Sequence, residues 1–486
     1  MIFNSIPFAI FFIVFFLLYW LLFKQNLKLQ NLLLLAGSYF FYGWWDWRFL
    51  SLLIGSSALN YYLGIAIANS TDEKKRKLLL YTGILSGLAG LVFFKYYNFF
   101  ITSFAEAFGA INIHLSVHTL QLILPLGISF YTFRTMSYLL DADKNKIQPT
   151  RDWVVFFTYV SFFPGLISGP IDKGQLLLPQ LEKKREFNTI QITDGMRQIL
   201  WGLFKKIVVA DNCAEIANQI FDNYVNLPAS SLVLGALFYT FQLYADFSGY
   251  SDMAVGFARM LGFTITKNFN FPFFAQNIAE YWRRWHMSLT AWLTEYVFTP
   301  LSIKFRDYGK VGLSLAIIIN FTICGIWHGA NWTYVLFGFL HGCYFIPLIV
   351  KGTMNKKAKK GEITLLPTFT AWRKMLATFL LVMLTNIVFR ADSVAHAADY
   401  FKHLFSTSLF SYPVLNNVKS SVTILVITWV ALFIEWMHRD REHGLQFLPA
   451  TNNLQFYLRV SLFSILIWAI ILWGAFGNKT FIYFQF

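Results

Sequence analysis

The chain has 486 residues, of which 56% are hydrophobic, 19% aromatic and only 13% charged, whereas ordinary soluble domains carry about 25% charged residues. No water-exposed globule of this length needs so much apolar surface, which excludes a soluble enzyme, a disordered chain and a nucleic-acid binder with a water-exposed surface. The apolar runs are continuous rather than alternating, which argues against an outer-membrane barrel and leaves an all-α, polytopic integral membrane protein.

Lys and Arg number 40 against 25 Asp and Glu, a net charge of +15. In a membrane protein that excess reads as basic cytoplasmic loops rather than nucleic-acid contact. The runs Glu73-Lys74-Lys75-Arg76-Lys77 and Lys356-Lys357-Ala358-Lys359-Lys360 fit this. Cys213, Cys324 and Cys343 each lie in or beside an apolar stretch, with neither a disulfide framework nor metal-type spacing.

A bilayer-crossing helix needs about 20 apolar residues. In chain order the candidate spans are 7–23, 30–45, 49–69, 78–98, 121–140, 196–222, 230–256, 311–327, 331–350, 373–390, 420–437 and 458–477. Together with re-entrant segments this predicts about 11–13 membrane helices. Residues 7–23 follow no basic region and precede no small-residue cleavage site, so they read as the first membrane helix and not a signal peptide. Lys24 and Lys28 after that span place the N-terminus outside. The basic run at 73–77 and Lys144, Lys146 and Arg151 then fall inside in turn.

Two segments break the alternation. Residues 153–171 are apolar with basic residues at both ends, and Pro164-Gly165-Leu166-Ile167-Ser168-Gly169-Pro170 interrupts them. No straight helix would choose that sequence, so a re-entrant hairpin from the cytoplasmic side is expected. Residues 272–300 contain Glu280-Tyr281-Trp282-Arg283-Arg284-Trp285-His286. Two adjacent Arg cannot face lipid cheaply, so this piece is expected at the cytoplasmic interface, with Glu280 paired to Arg283 or Arg284 along a helix. The longest polar stretch, near 351–372, reads as a loop.

Of nine His, six (His114, His118, His396, His403, His438 and His443) fall in predicted loops or helix ends and read as solvated or interfacial. The others are His286, His328 and His341. His328 stands between two apolar spans in Trp327-His328-Gly329-Ala330-Asn331. An ionisable residue there is functional by default unless it is a hydrogen-bonded link between helices. His286 reads either as a functional residue or as one more ring of an aromatic belt, and His341 more weakly so. Asp246 and Asp252, near Tyr244 and Tyr250, form either a carboxylate site or helix-capping and packing groups. No phosphate loop or HExxH zinc motif is present. A His that takes a proton from an attacking hydroxyl, with Asn331, Arg284 or a loop N–H stabilising the oxyanion, would suffice for acyl transfer. Arg283 and Arg284 would suit the phosphate of a pantetheine-type carrier, or serve as ordinary positive-inside anchors.

The stretches Trp282-Arg283-Arg284-Trp285-His286-Met287-Ser288-Leu289 and Trp327-His328-Gly329-Ala330-Asn331 resemble the membrane-bound O-acyltransferase (MBOAT) family. The likeness is to its bacterial branch, which includes alginate O-acetylation and teichoic-acid D-alanylation proteins. Leu124-Pro125-Leu126-Gly127-Ile128-Ser129-Phe130, Phe163-Pro164-Gly165-Leu166-Ile167-Ser168-Gly169-Pro170, Tyr244-Ala245-Asp246-Phe247-Ser248-Gly249-Tyr250-Ser251-Asp252-Met253-Ala254 and Val388-Phe389-Arg390-Ala391 agree in the same order. The tail Phe481-Ile482-Tyr483-Phe484-Gln485-Phe486 looks more like the alginate-type branch. The resemblance implies a single membrane domain over 1–486, motif-bearing over 7–400, with C-terminal helices in 401–486. It implies a helical scaffold with a central tunnel, His328 as the usual catalytic residue and His286 as the second essential one.

The resulting expectation is an O-acyltransferase of the bacterial cytoplasmic membrane. It would take an acyl group, acetyl first, from a cytoplasmic thioester such as acetyl-CoA and deliver it outside for O-acetylation of a surface or exported polysaccharide. Arg283 and Arg284 would hold the donor, with Asn331, Asp246 and Tyr250 lining or supporting the site. No tightly bound cofactor or metal is expected. The expected partners are an extracytoplasmic acetyl-accepting protein, a glycan acceptor and membrane lipid. The alternatives are a D-alanyl transferase fed by a carrier protein and a transporter of an acylated substrate.

Overall fold

The computed structural model describes residues 1–356, 366–447, 452–477 and 481–482. Among them there is no β-strand. The helices in order are α1 (Ile6–Leu17), α2 (Leu27–Asp46), α3 (Leu50–Asn69), α4 (Glu73–Leu91), α5 (Tyr97–Gly109), α6 (Ile128–Asp143), α7 (Trp153–Ser161), α8 (Phe163–Leu166), α9 (Gly174–Leu181), α10 (Thr189–Phe204), α11 (Asp211–Asp222) and α12 (Ala229–Met260). They continue as α13 (Ile278–Trp282), α14 (Met287–Leu293), α15 (Thr299–Lys304), α16 (Gly309–His328), α17 (Trp332–Cys343), α18 (Ile346–Val350), α19 (Phe369–Arg390), α20 (Val394–Leu404), α21 (Val418–Met437) and α22 (Asn453–Trp473). Side chains suited to the N-cap start many of them: Ser5, Asn26, Asp72, Asp152, Asn331 and Ser393 each accept an orphan N–H of the first turn.

Among the described residues, seven stretches are long and apolar enough to cross a membrane: Leu27–Asn69, Glu73–Gly109, Arg306–His328, Trp332–Val350, Phe369–Arg390, Val418–Met437 and Asn453–Trp473. The chain is a multi-pass, all-helical membrane protein. Ile6–Leu22 is apolar but shorter. The spans expected at 30–45 and 49–69 join through a single 3-10 turn, Trp47–Phe49, into one helical stretch.

Two expected spans need correction. Of 121–140, only the part from Ile128 is helical. Leu124 precedes Pro125 and so is steered away from the helical region, and Gly127 sits in the left-handed region at φ 72°. The span 196–222 is three pieces, the end of α10, a π-helical turn at Lys205–Ala210, and α11. That wide turn carries two buried lysines, which a plain apolar span would not. The loop expected over 351–372 gives way to α19 at Phe369, and its residues 357–365 lie outside the described residues, as do Lys357–Lys360 of the basic run. Tyr483–Phe486 of the tail also lie outside.

The chain packs as two compact units, Met1–Gly195 with Phe257–Thr266, and Met196–Gly256 with Lys267–Phe486. In the first, α2, α3, α4, α6 and α7 pack on one another. The predicted break at 164–170 is present: α7 ends at Ser161, α8 lasts one turn, and the whole Phe162–Ile171 stretch is buried. Its backbone needs partners, and Arg134 on α6 supplies them. This fully buried guanidinium donates to the carbonyls of Val160 at 3.3 Å and Pro170 at 3.1 Å.

In the second unit, α16 and α17 form a tight hairpin, with α19 packed on α17. Gly325 and Gly338 face each other in the hairpin seam. A Cβ on Gly325 would strike the Tyr334 carbonyl, and one on Gly338 the Phe321 carbonyl. Small residues let the two backbones touch, the usual device where helices cannot rely on the hydrophobic effect.

Candidate active site

His286 and His328 both belong to the second unit, and both are buried, at 0% and 4% exposure. His328 is the last residue of α16, and Gly329 ends that helix in extended backbone. Its ring lies among aromatic neighbours: Trp327 at 4.9 Å, Phe389 at 5.2 Å and Phe337 at 6.1 Å between centroids. One turn earlier on the same helix, Cys324 Sγ stands 4.0 Å from His328 Nε2.

His286 is the residue before α14, held in the left-handed region at φ 42° and ψ 52°. Its ring packs edge-on against Phe247 at 4.6 Å and lies 5.6 Å from Trp327. Trp327 therefore touches both histidines.

The tautomer of His286 follows from Asn268, which is itself buried. Asn268 Nδ2 donates to Ser251 Oγ at 3.1 Å, and Asn268 Oδ1 accepts from Ser288 Oγ at 2.6 Å. The Ser288 N–H, which can only donate, faces the same atom at 3.4 Å, so the amide oxygen is the atom 3.4 Å from His286 Nδ1, and Nδ1 carries the proton and Nε2 the lone pair. Asn268 has no motif of its own; only its place in the loop before α13 brings it here.

His341 is also fully buried, but it faces Trp282, whose Nε1–H donates to His341 Nδ1 at 3.2 Å. This is a side-chain link between elements. His443, read as solvated or interfacial, is buried at 1% exposure, and Leu445 N–H donates to its Nδ1 at 3.3 Å. The burial of that turn was not apparent from its charged neighbours.

Of the two expected arginines, Arg284 forms the ion pair with Glu280, at 2.7 Å. The exposed Arg283 instead donates to the carbonyl oxygens of Met354 at 3.2 Å and Lys356 at 3.5 Å. Asn331 caps α17 by accepting from Thr333 N–H, and its Nδ2 donates to the Asp392 carbonyl at 2.8 Å.

Asp246 and Asp252 do not share a site. Each is matched to its own buried lysine from the π-helical turn: Lys205 pairs with Asp252 at 2.7 Å and with Glu435 at 3.4 Å, while Lys206 pairs with Asp246 at 2.9 Å and Asp211 at 2.8 Å. Asp246 also accepts the Ile482 N–H at 2.8 Å, and Tyr250 stacks on Phe481 at 4.7 Å. The adjacent lysines in a nominal apolar span were the signal for these networks.

A cavity of about 980 Å³ opens beside this region, and Asp246, Asn331, Tyr334 and Arg390 are among its lining residues. Asn331 follows His328 by three residues, and Arg390 follows Phe389, which touches the His328 ring.

These features define a multi-pass helical membrane protein that holds two shielded histidines, with Asn331, just after His328 in the chain, and Arg390, next to Phe389, lining a polar cavity. The profile of MBOAT, the membrane-bound O-acyltransferase family, matches residues 39–360. The chain belongs to that family and is an acyltransferase. It is 35% identical over 442 residues to the probable alginate O-acetylase of Pseudomonas aeruginosa, covering 89% of this chain and 81% of that protein. It is 35% identical over 415 residues to the peptidoglycan O-acetyltransferase of Helicobacter pylori, covering 78% and 74%. With the teichoic acid D-alanyltransferase of Streptococcus thermophilus it shares 31% identity over 300 residues, covering 54% and 68%.

Proposed function

We propose that this acyltransferase moves an acetyl group from a cytoplasmic thioester, acetyl-CoA, to a hydroxyl on the outer side of the bacterial cytoplasmic membrane, for O-acetylation of a cell-surface or exported polysaccharide. The observation that carries this reading is the buried His328, at the end of a membrane helix and next to the walls of a polar cavity. His328 takes the proton of the attacking hydroxyl. The hydroxyl oxygen forms its bond to the acyl carbon as the carbon–sulfur bond breaks, and the proton passes on to the departing thiolate. His286, with its lone pair on Nε2, serves as a second acid/base nearer the donor. Arg283 and Arg284 bind donor phosphate. Asn331 holds the start of α17, and Asp246 and Tyr250 brace the wall.

The basic residues Lys310, Lys351, Lys356, Arg373 and Lys374 flank the starts of α16 and α19 and the end of α18. They favour the His328 end of the hairpin facing outward, and Lys24 and Lys28 after the first apolar run favour an outward N-terminus. Acetyl is favoured over D-alanyl because the two O-acetylating relatives match over more of this chain than the D-alanyl relative does. The receiving group belongs to a glycan or to an extracytoplasmic partner protein that relays the acetyl to it.

The test is transfer from radiolabelled acetyl-CoA in inside-out vesicles, comparing wild type with His328→Ala. Label on lumenal material with wild type alone supports the proposal. Equal labelling from a folded His328→Ala protein sinks the assignment of His328. Labelling only from an aminoacylated carrier protein would replace acetyl with D-alanyl.

A further inference from the structure

The last turns of α16 carry a second reactive side chain beside His328. Cys324 and His328 are spaced so that they share one face of the helix, and Cys324 Sγ stands 4.0 Å from His328 Nε2, within reach of a thiol hydrogen bond. The other cysteines are placed differently. Cys213 Sγ faces the Thr428 hydroxyl at 3.9 Å, and Cys343 is partly buried at the end of α17. A thiol becomes a strong nucleophile when a base takes its proton, and a Cys–His pair within hydrogen-bond reach is one arrangement that does so.

The surroundings suit a reactive intermediate. Cys324 is 2% exposed, and the rings of Trp327, Phe337 and Phe389 pack around the imidazole. Keeping water out of such a site protects a thioester formed there from hydrolysis. Gly325, the next residue, packs backbone to backbone on α17, which holds this turn of α16 in place.

We propose that Cys324 is the nucleophile that carries the acyl group between donor and acceptor, with His328 as its base, an inference that rests on the proposed acyl transfer. Whatever route brings the acyl carbon to His328 Nε2 also brings it to a sulfur 4.0 Å away. In the first step Cys324 Sγ bonds to the acyl carbon and His328 Nε2 takes the thiol proton. The bond from that carbon to the donor sulfur breaks, and the proton passes to the departing donor thiolate. In the second step the acceptor hydroxyl gives its proton to His328 and its oxygen bonds to the acyl carbon. The bond to Cys324 Sγ breaks, and the proton returns to that sulfur. The first step exchanges one thioester for another, so it requires no energy source. Splitting the transfer in two lets the donor thiol leave before the acceptor arrives, so the two bulky substrates never share the site.

The experiment is isotope exchange between acetyl-CoA and radiolabelled CoA, catalysed by the full chain in detergent with no acceptor present. Exchange requires that one thiol leave its acetyl on the protein and another take it back. Wild type and Cys343→Ala should exchange. Cys324→Ala should not, and nor should Cys324→Ser, which keeps the shape of the side chain; both should melt near wild type. Acid-quenched wild type should carry acetyl on the peptide containing Cys324, released by neutral hydroxylamine as a thioester is. That last measurement uses no variant, so it holds even if the substitutions disturb folding. Wild-type exchange by either Cys324 variant overturns the proposal, as does acetyl found on a different residue. A wild-type protein that labels acceptor in vesicles but neither exchanges CoA nor holds acetyl on Cys324 also overturns it, and leaves direct transfer by His328 standing. Absence of both exchange and acceptor labelling from wild type overturns instead the acetyl-CoA reading on which the proposal rests.

Discussion

The imidazole of His286 and the indole of Trp327 stand 5.6 Å apart between ring centroids, and the residue after that indole is His328. Trp327 is 6% exposed, so it is the wall the two histidines share. Trp327→Ala should leave a void between them and cost about 3–5 kcal/mol of stability. Trp327→Phe should keep most of the packing. Thermal unfolding in detergent separates these outcomes, and transfer should follow in the same order. A Trp327→Ala protein with wild-type turnover would show that the shared wall is irrelevant to the chemistry.

Asn268 fixes which nitrogen of His286 holds the proton. Asn268→Leu removes the acceptor facing His286 Nδ1 and the amide oxygen to which the Ser288 hydroxyl donates. The stability cost should be about 1–3 kcal/mol. Turnover should fall by at least about tenfold, with the KM for the proposed donor, acetyl-CoA, little changed, because the side chain of Asn268 acts through the imidazole it faces. Asn268→Asp keeps the acceptor and should recover part of the turnover. A rise in KM at constant kcat would instead make the residue a determinant of binding.

The burial of His286 and His328, the broken segment and most of the long helices were legible in the sequence, because each depends on local chemistry. A lone His between apolar runs is costly unless used. Pro164 cannot continue α7 but can open the single turn of α8, and Glu280 stands one turn from Arg284. What was not legible depended on partners far along the chain. Nothing local shows that Arg134 closes the carbonyls of Val160 and Pro170, or that Asn268 reaches His286. Asp246 and Asp252 looked like a possible pair because they are six residues apart, but the two lysines separate them. The apolar length of 121–140 hid its first turn of extended chain, since hydropathy does not register Pro125 and Gly127.

The α16–α17 hairpin carries His328 at its tip, so the glycine seam sets where that ring sits. Gly338→Ala would put a Cβ against the Phe321 carbonyl, a backbone atom with no rotamer to yield. The hairpin must part by a fraction of an ångström, at a cost of about 1–3 kcal/mol. Transfer should fall together with the melting temperature. Gly55 has nothing within 4 Å of an added Cβ, so Gly55→Ala is the matched control and should change neither. A Gly338→Ala protein indistinguishable from that control would mean the seam is loose.

Lys206 is 3% exposed and neutralises two buried carboxylates at once, Asp246 and Asp211. Removing one member of such a set leaves charge without compensation, which costs about 3–5 kcal/mol. Lys206→Met should therefore lower the melting temperature sharply. Adding Asp246→Asn to it removes one of the two stranded charges and should restore part of the loss, even though the double variant lacks more of the native interactions than the single one. That ordering separates a stranded charge from a lost contact, because simple contact loss would make the double variant the weaker of the two. Asp246 also accepts the Ile482 N–H, an interaction that the amide oxygen of Asn can keep. If the double variant melts below Lys206→Met, the lysine acts through packing and not through its charge.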